Sequence, residues 1–216
     1  MKPYQKIVSQ KDSSVVLKVV SGHFITPNSH INSYIDMTTM KTRYREALSC
    51  AKALSCRYSE TDVIDTIICM DNTEVIGAYL AQELENRGVK TKNMHNTVYI
   101  CTPEYDSYGQ MLFRDNSRMM LKDKNVLILL ASTTTGGTLK RAIDAVHYHG
   151  GHAVEVSAIF SLMDKISDIR ISALFTKEDL PEYTSNPADS CDMCKRGVPI
   201  DAICNGFGYT EVDRNI

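Results

Sequence analysis

Hydrophobic and polar positions along the chain fall into alternating blocks. Residues 126–131 (VLILLA) are continuously apolar, and the segment beginning TLKRAIDAVHYHG then repeats apolar positions at helical spacing through Leu139, Ile143 and Val146 until Gly150 and Gly151 stop it. The next run, 153–160 (AVEVSAIF), is again β-branched and apolar. Upstream the same alternation recurs. Residues 63–70 (VIDTIICM) read as a strand, 73–88 as a helix with Val75, Ile76, Tyr79, Leu80 and Leu84 on one face and Gly88 at its stop, and 97–102 (TVYICT) as a strand. A further run, 169–175 (IRISALF), adds one more strand. Such alternation predicts an α/β fold with a mainly parallel sheet flanked by helices on both faces.

The flanks read differently. Residues 22–26 and 31–36 surround the turn-rich PNSH and predict an N-terminal hairpin within a small hood of about residues 1–40. From 39 to 58, Met40, Tyr44, Leu48, Ala51 and Leu54 lie near helical spacing, so this segment should be one amphipathic helix. The polar stretch 103–124 is too long for a tight connection, which leaves a functional loop or an extra hairpin. From Pro181 onward no period is visible, and residues 181–216 read as an irregular tail to a core of about residues 60–180. The expectation is one domain with these appendages.

Composition narrows the function classes. The 216 residues suffice for one sizeable core, and 43% apolar with 23% charged residues is ordinary for a globular protein. A formal net charge of −2 gives no electrostatic basis for binding nucleic acid or membrane. No apolar window approaches the roughly 18 residues that a membrane helix needs. The seven cysteines are odd in number and no signal peptide precedes them, so they are expected to be reduced thiols in a cytoplasmic protein.

The richest chemistry lies after the 126–131 run. Ser132, Thr133, Thr134, Thr135 and Thr138 supply hydroxyls, and Gly136 and Gly137 let a backbone close around an anion where a helix begins. Threonines that merely cap the helix are the alternative. Neither G-x-x-x-x-G-K-[ST] nor G-x-G-x-x-G is present, so P-loop and dinucleotide readings lack support. Cys191 and Cys194 form a C-x-x-C, but histidines 30, 95, 147, 149 and 152 show no finger spacing around it. The pair is expected to pack a turn, with no metal assigned; a structural metal site and a redox pair are the alternatives.

The TTGGT at 134–138, preceded by its apolar strand, resembles the phosphate loop of the type I phosphoribosyltransferases. SGHFITPNSHINSY (21–34) is similar to the N-terminal hairpin of the orotate enzymes of that family, and CDMCKRGVPI (191–200) to the C-P-x-C-x-x-G-I-P tail of one bacterial branch. The resemblance implies a homodimer that binds a phosphorylated small molecule, either phosphoribosyl pyrophosphate or a nucleotide. It also implies Mg²⁺ and an ancestral transfer of ribose 5-phosphate to a pyrimidine such as orotate. A sensor that binds such a ligand without turnover is the rival.

Departures from the family pattern are concentrated where the chemistry would occur. Leu130 and Ala131 stand where the resemblance expects an acid pair that holds the ribose hydroxyls. The turn after the 63–70 strand carries Asp71 and Glu74 where the orotate enzymes place a lysine. These two carboxylates are candidates for a displaced acidic role, against Asn72 or Thr73 simply capping the next helix. In 102–116, the region matching the mobile catalytic loop, Arg114 is the one cation; it either reaches an anion or is an ordinary surface arginine. Activity is therefore expected to be reduced or lost.

Overall fold

A computed structural model describes residues 3–10 and 12–213. In chain order, β1 (Gln5–Val8), β2 (Val16–Ile25) and β3 (His30–Asp36) lead into α1 (Thr38–Thr42) and α2 (Tyr44–Ser55). Then follow β4 (Thr66–Cys69), α3 (Glu74–Asn86), β5 (Tyr99–Cys101), β6 (Glu104–Tyr105), β7 (Met111–Leu112) and β8 (Asn125–Thr133). α4 (Gly137–Tyr148), β9 (His152–Ser161), β10 (Lys165–Ile166) and β11 (Ile169–Phe175) complete the central part. The C-terminal part holds β12 (Ser185–Asn186), α5 (Asp192–Lys195), β13 (Ala202–Asn205) and β14 (Gly208–Glu211).

The chain divides into two compact units, one from Met40–Thr176 and one that joins Met1–Thr39 to Lys177–Ile216. The central unit is built on a sheet of order β10-β11-β9-β8-β4-β5, parallel throughout except for the β10–β11 pair. Alternation along the strands sends Ile68, Ile128, Leu130, Val156 and Ala158 to one face, where they pack with Leu139, Ile143 and Val146 of α4. Cys69 and Leu129 point to the opposite face, which α3 covers. There Gly77 permits close approach, since a Cβ on it would lie 2.3 Å from Cys69 Sγ. This is the helix-covered parallel sheet that the hydrophobic pattern predicts.

The second unit carries its own sheet, order β12-β3-β2-β13-β14 with β1 also pairing β2. β2 and β3 form the expected antiparallel hairpin, with a bulge in β2 between Ser21 and Phe24. The segment from Pro181 departs from its irregular reading, because β12, β13 and β14 extend this sheet. Strands of two to four residues are too short to show a period. The amphipathic helix expected over 39–58 also departs, breaking at Arg43, whose backbone is extended (φ −94°, ψ 115°) and which leaves Tyr44 exposed. Apolar spacing runs straight across this break and gives no sign of it. Among the described residues no helix is long and apolar enough to cross a membrane.

Candidate functional site

β4 and β8 are parallel neighbours, so their carboxyl ends lie side by side and lead into α3 and α4. Ligands of open α/β sheets bind at such ends. At the start of α4 the chain passes through Gly136 in the left-handed region, φ 76°. A Cβ there would sit 3.0 Å from Met163 Sδ and 3.3 Å from Ile166 Cδ1, so the conformation calls for glycine and the space around it is tight. Gly137 differs: a Cβ on it would meet only Thr135 Oγ1, at 4.0 Å.

The N-cap of α4, Gly136, has no side chain with which to cap it, although the approach is rich in hydroxyls. The first-turn N–H groups have no acceptor within the helix and stand at the positive end of its dipole. Ser132, Thr135 and Gly137 are exposed and Thr134 and Thr138 half-buried, while Thr133 is buried in the sheet opposite Ser161. The structure thus brings most of the predicted loop residues together at the entry to α4 and gives Thr133 a structural place within the sheet. Arg141 adds a cation that the sequence reading passed over, its Nη2 donating to Thr138 Oγ1 at 3.1 Å. Helical i,i+3 spacing from Thr138 was the available signal.

The acids are arranged differently from a strand-end pair. β8 runs on to Thr133, so Leu130 lies inside the strand, 1% exposed, opposite Ala158 and packed in the α4-side core. Asp71 lies just past the end of the adjacent strand β4. Asp71 and Asn72 both adopt left-handed backbone, φ 56° and 61°, a conformation that Asp and Asn tolerate better than other residues apart from glycine. This turn carries the Asp71 carboxylate to the Ala131 amide, whose N–H donates to Oδ2 at 3.3 Å. Burial pushes the Asp71 carboxyl up, against the opposing pull of the Ala131 N–H, the Lys41 ammonium and the Ser132 N–H. Lys41 approaches from α1, donating from Nζ to the Asp71 carbonyl at 2.9 Å. It brings positive charge to a turn whose own sequence carries only acids.

Tyr105 stands within reach of both signs of charge. Burial and then the Asp71 charge raise its phenol, while Arg141 lowers it. Glu74 lies exposed in the first turn of α3, and its charge acts on Cys69 on the α3 side of the sheet. Arg114 is bound to Glu104 across the β6–β7 ribbon, Nη2 and Nε donating to Oε2 at 2.6 and 2.9 Å. That hydrogen-bonded pairing holds the Glu104 carboxyl below its usual range. Of the three predicted catalytic residues, these contacts bring Asp71 to the 132–138 loop, while Glu74 and Arg114 have their described contacts elsewhere.

No protein-family model matches the sequence. The chain is 25% identical over 190 residues to an orotate phosphoribosyltransferase of Chlorobaculum parvum, an alignment covering 85% of this chain and 88% of that protein. It is 31% identical over 123 residues to an adenine phosphoribosyltransferase of Desulfosudis oleivorans, covering 53% of this chain and 71% of that one. Among solved structures, an adenine phosphoribosyl transferase of Trypanosoma brucei, in complex with AMP, pyrophosphate and ribose-5-phosphate, is similar with a TM-score of 0.52. That likeness has 15% identity and covers 88% of this chain and 80% of the other.

Proposed function

The chain belongs to the type I phosphoribosyltransferase family, and from this we propose that it binds the 5′-phosphate end of phosphoribosyl pyrophosphate or a nucleotide, with orotate-type transferase turnover reduced or lost. The observation that carries the reading is the entry to α4 at left-handed Gly136, next to the Asp71 carboxylate in the turn that follows β4. Loop N–H groups and the hydroxyls of Ser132, Thr134, Thr135 and Thr138 take the phosphate. Asp71 accepts from the ribose hydroxyls. Arg141 and Lys41 balance the ligand's charge.

Reduced turnover follows from what surrounds the anomeric carbon. Its positive charge in the transition state needs well-placed negative groups, and Leu130 supplies none from the core. Arg114, committed to Glu104, is a weakened counter-charge for a leaving pyrophosphate. Each lost electrostatic stabiliser commonly costs on the order of 10²–10³ in rate. The donor set fits Mg²⁺ in its usual mode, one carboxylate from Asp71 with the ligand's own phosphates completing the shell. Bound there, Mg²⁺ would neutralise charge on the departing pyrophosphate.

A Mg²⁺-dependent assay with phosphoribosyl pyrophosphate and orotate tests the reading. Ligand binding with pyrophosphate release near background supports it. Rapid formation of orotidine monophosphate would overturn the loss of turnover and leave Asp71 as a competent displaced carboxylate. Binding without turnover also describes a sensor, which would then show its ligand preference among nucleoside monophosphates. As part of the same proposal the chain acts as a homodimer in the cytoplasm, the first of which sedimentation would check.

A further inference from the structure

The two-part unit at the chain ends contains a cluster that the function above does not use. His23 and His30 come from the β2–β3 hairpin, Cys191 from the N-cap of α5 and Cys194 from within it, and one donor atom from each lies within 4.8 Å of all the others. His23 Nε2 is 3.1 Å from His30 Nδ1, and 3.7 and 3.6 Å from the sulfurs of Cys191 and Cys194. Cys194 Sγ is 3.2 Å from His30 Nδ1. A tetrahedral zinc ion with Zn–N of about 2.0–2.1 Å and Zn–S of about 2.3 Å sets ligand-to-ligand separations of roughly 3.3 Å for N–N and 3.5 Å for N–S. The measured separations lie within a few tenths of an ångström of these.

The surroundings orient the donors. His23 Nδ1 lies 2.8 Å from the Val198 carbonyl, which can only accept, so the ring N–H is at Nδ1 and Nε2 points bare at the cluster. Fixing a ligating imidazole through its second nitrogen is the usual outer-shell arrangement of metal-bound histidine. His23 also sits in the β2 bulge, where the extra residue re-aims a side chain out of the strand's alternation. Beside it the Asp201 carboxylate accepts the His23 N–H at 2.9 Å, and the Asp201 N–H donates to the His23 carbonyl at 2.7 Å. A Cβ on Gly22 would fall 2.6 Å from Asp201 Oδ2, so glycine is what admits this clamp. Both cysteines are free thiols.

We propose that His23, His30, Cys191 and Cys194 bind one zinc ion as a closed structural site that ties the N-terminal hairpin to the C-terminal segment. Two thiolates and two neutral imidazoles match the softness and number that zinc favours, and the dication cancels the thiolate charge. All four positions are filled by protein, so the ion has a folding role and no open place for a substrate. His23, Cys191 and near-surface His30 are buried, which removes them from solvent while leaving Cys194 at an exposed edge through which the metal can enter.

The test uses the untagged full chain purified under reducing conditions without added metal. Elemental analysis should give one zinc per chain, and chelation should lower the melting temperature, with added zinc restoring it. Cobalt titrated into the metal-free protein should saturate at one equivalent, with intense tetrahedral d–d bands and thiolate charge transfer. Cys194→Ser should weaken metal binding at least tenfold and Cys56→Ser, an exposed cysteine outside the cluster, should leave it unchanged. If the serine variant fails to fold, the cobalt spectrum of the parent still decides. Metal-free purified protein whose cobalt spectrum lacks thiolate charge transfer, or a Cys191–Cys194 disulfide persisting in reductant, would overturn the proposal.

Discussion

Restoring the family's acids at the phosphate loop is the obvious way to seek activity, and the structure gives a definite outcome for its first half. Leu130 is 1% exposed and packs with Leu139, Ile143, Ile128 and Ala158 between the sheet and α4. Leu130→Asp removes this side chain, which for truncation to alanine costs about 2–5 kcal/mol. It also leaves an unpaired carboxylate in an apolar core, adding several kcal/mol more. The sum exceeds about 5 kcal/mol, comparable with the whole 5–15 kcal/mol stability of an ordinary domain. Urea unfolding followed by circular dichroism should show Leu130→Ala losing about 2–5 kcal/mol and Leu130→Asp largely unfolded near neutral pH. Acidification toward the carboxyl's own pKa should partly relieve the aspartate variant, because the neutral acid is cheaper to bury. A Leu130→Asp protein with the parent's midpoint and tighter ligand binding would refute the reasoning, since residue 130 would then have to face the ligand.

Gly137→Val should fold like the parent, because the new Cβ meets only Thr135 Oγ1 at 4.0 Å, yet weaken phosphate binding at least tenfold by filling the cradle; calorimetry with phosphoribosyl pyrophosphate checks it. Gly136→Val should instead lose stability, as φ 76° and the Met163 contact both oppose it, and a thermal melt separates the two glycines. Asp71→Asn should raise the melting temperature near neutral pH while weakening ligand binding, since burial holds this carboxyl above its ordinary range. The native state binds the Asp71 proton more tightly than the unfolded chain, so that contribution to stability is present below the ordinary carboxylate range and lost as pH rises through the elevated pKa. The parent-minus-Asn difference should therefore shrink on acidification, and a constant difference would contradict the assignment. Gly77→Ala should cost about 1–3 kcal/mol by overpacking against Cys69 Sγ, and a Cys69→Ala background should recover much of it in a double-mutant cycle.

Much of the central unit was legible because its signals are local. The apolar run of β8, the hydroxyls and glycines after it, and the helical spacing of Leu139, Ile143 and Val146 lie within one stretch of chain. What escaped depends on distance along the sequence. Lys41 reaches the Asp71 turn across 30 positions, and nothing near either residue marks the other. Leu130 read as a strand exit because the hydroxyls begin at Ser132, whereas pairing with β9 carries the strand to Thr133. The His–Cys cluster was opaque for the same reason: the histidines are seven residues apart in a hairpin, and the cysteines follow more than 160 positions later. Only a sheet that draws both chain ends together makes them neighbours.

The loop at 132–138 is proposed to hold a sugar phosphate beside chemistry that has faded. One experiment addresses both halves: calorimetric titration of the parent with phosphoribosyl pyrophosphate and Mg²⁺, with orotate then added to the same saturated sample and pyrophosphate release followed. The account predicts saturable binding that Gly137→Val abolishes, and release at least 10² slower than an active transferase. No binding by the parent, or binding untouched by Gly137→Val in a folded protein, would contradict it.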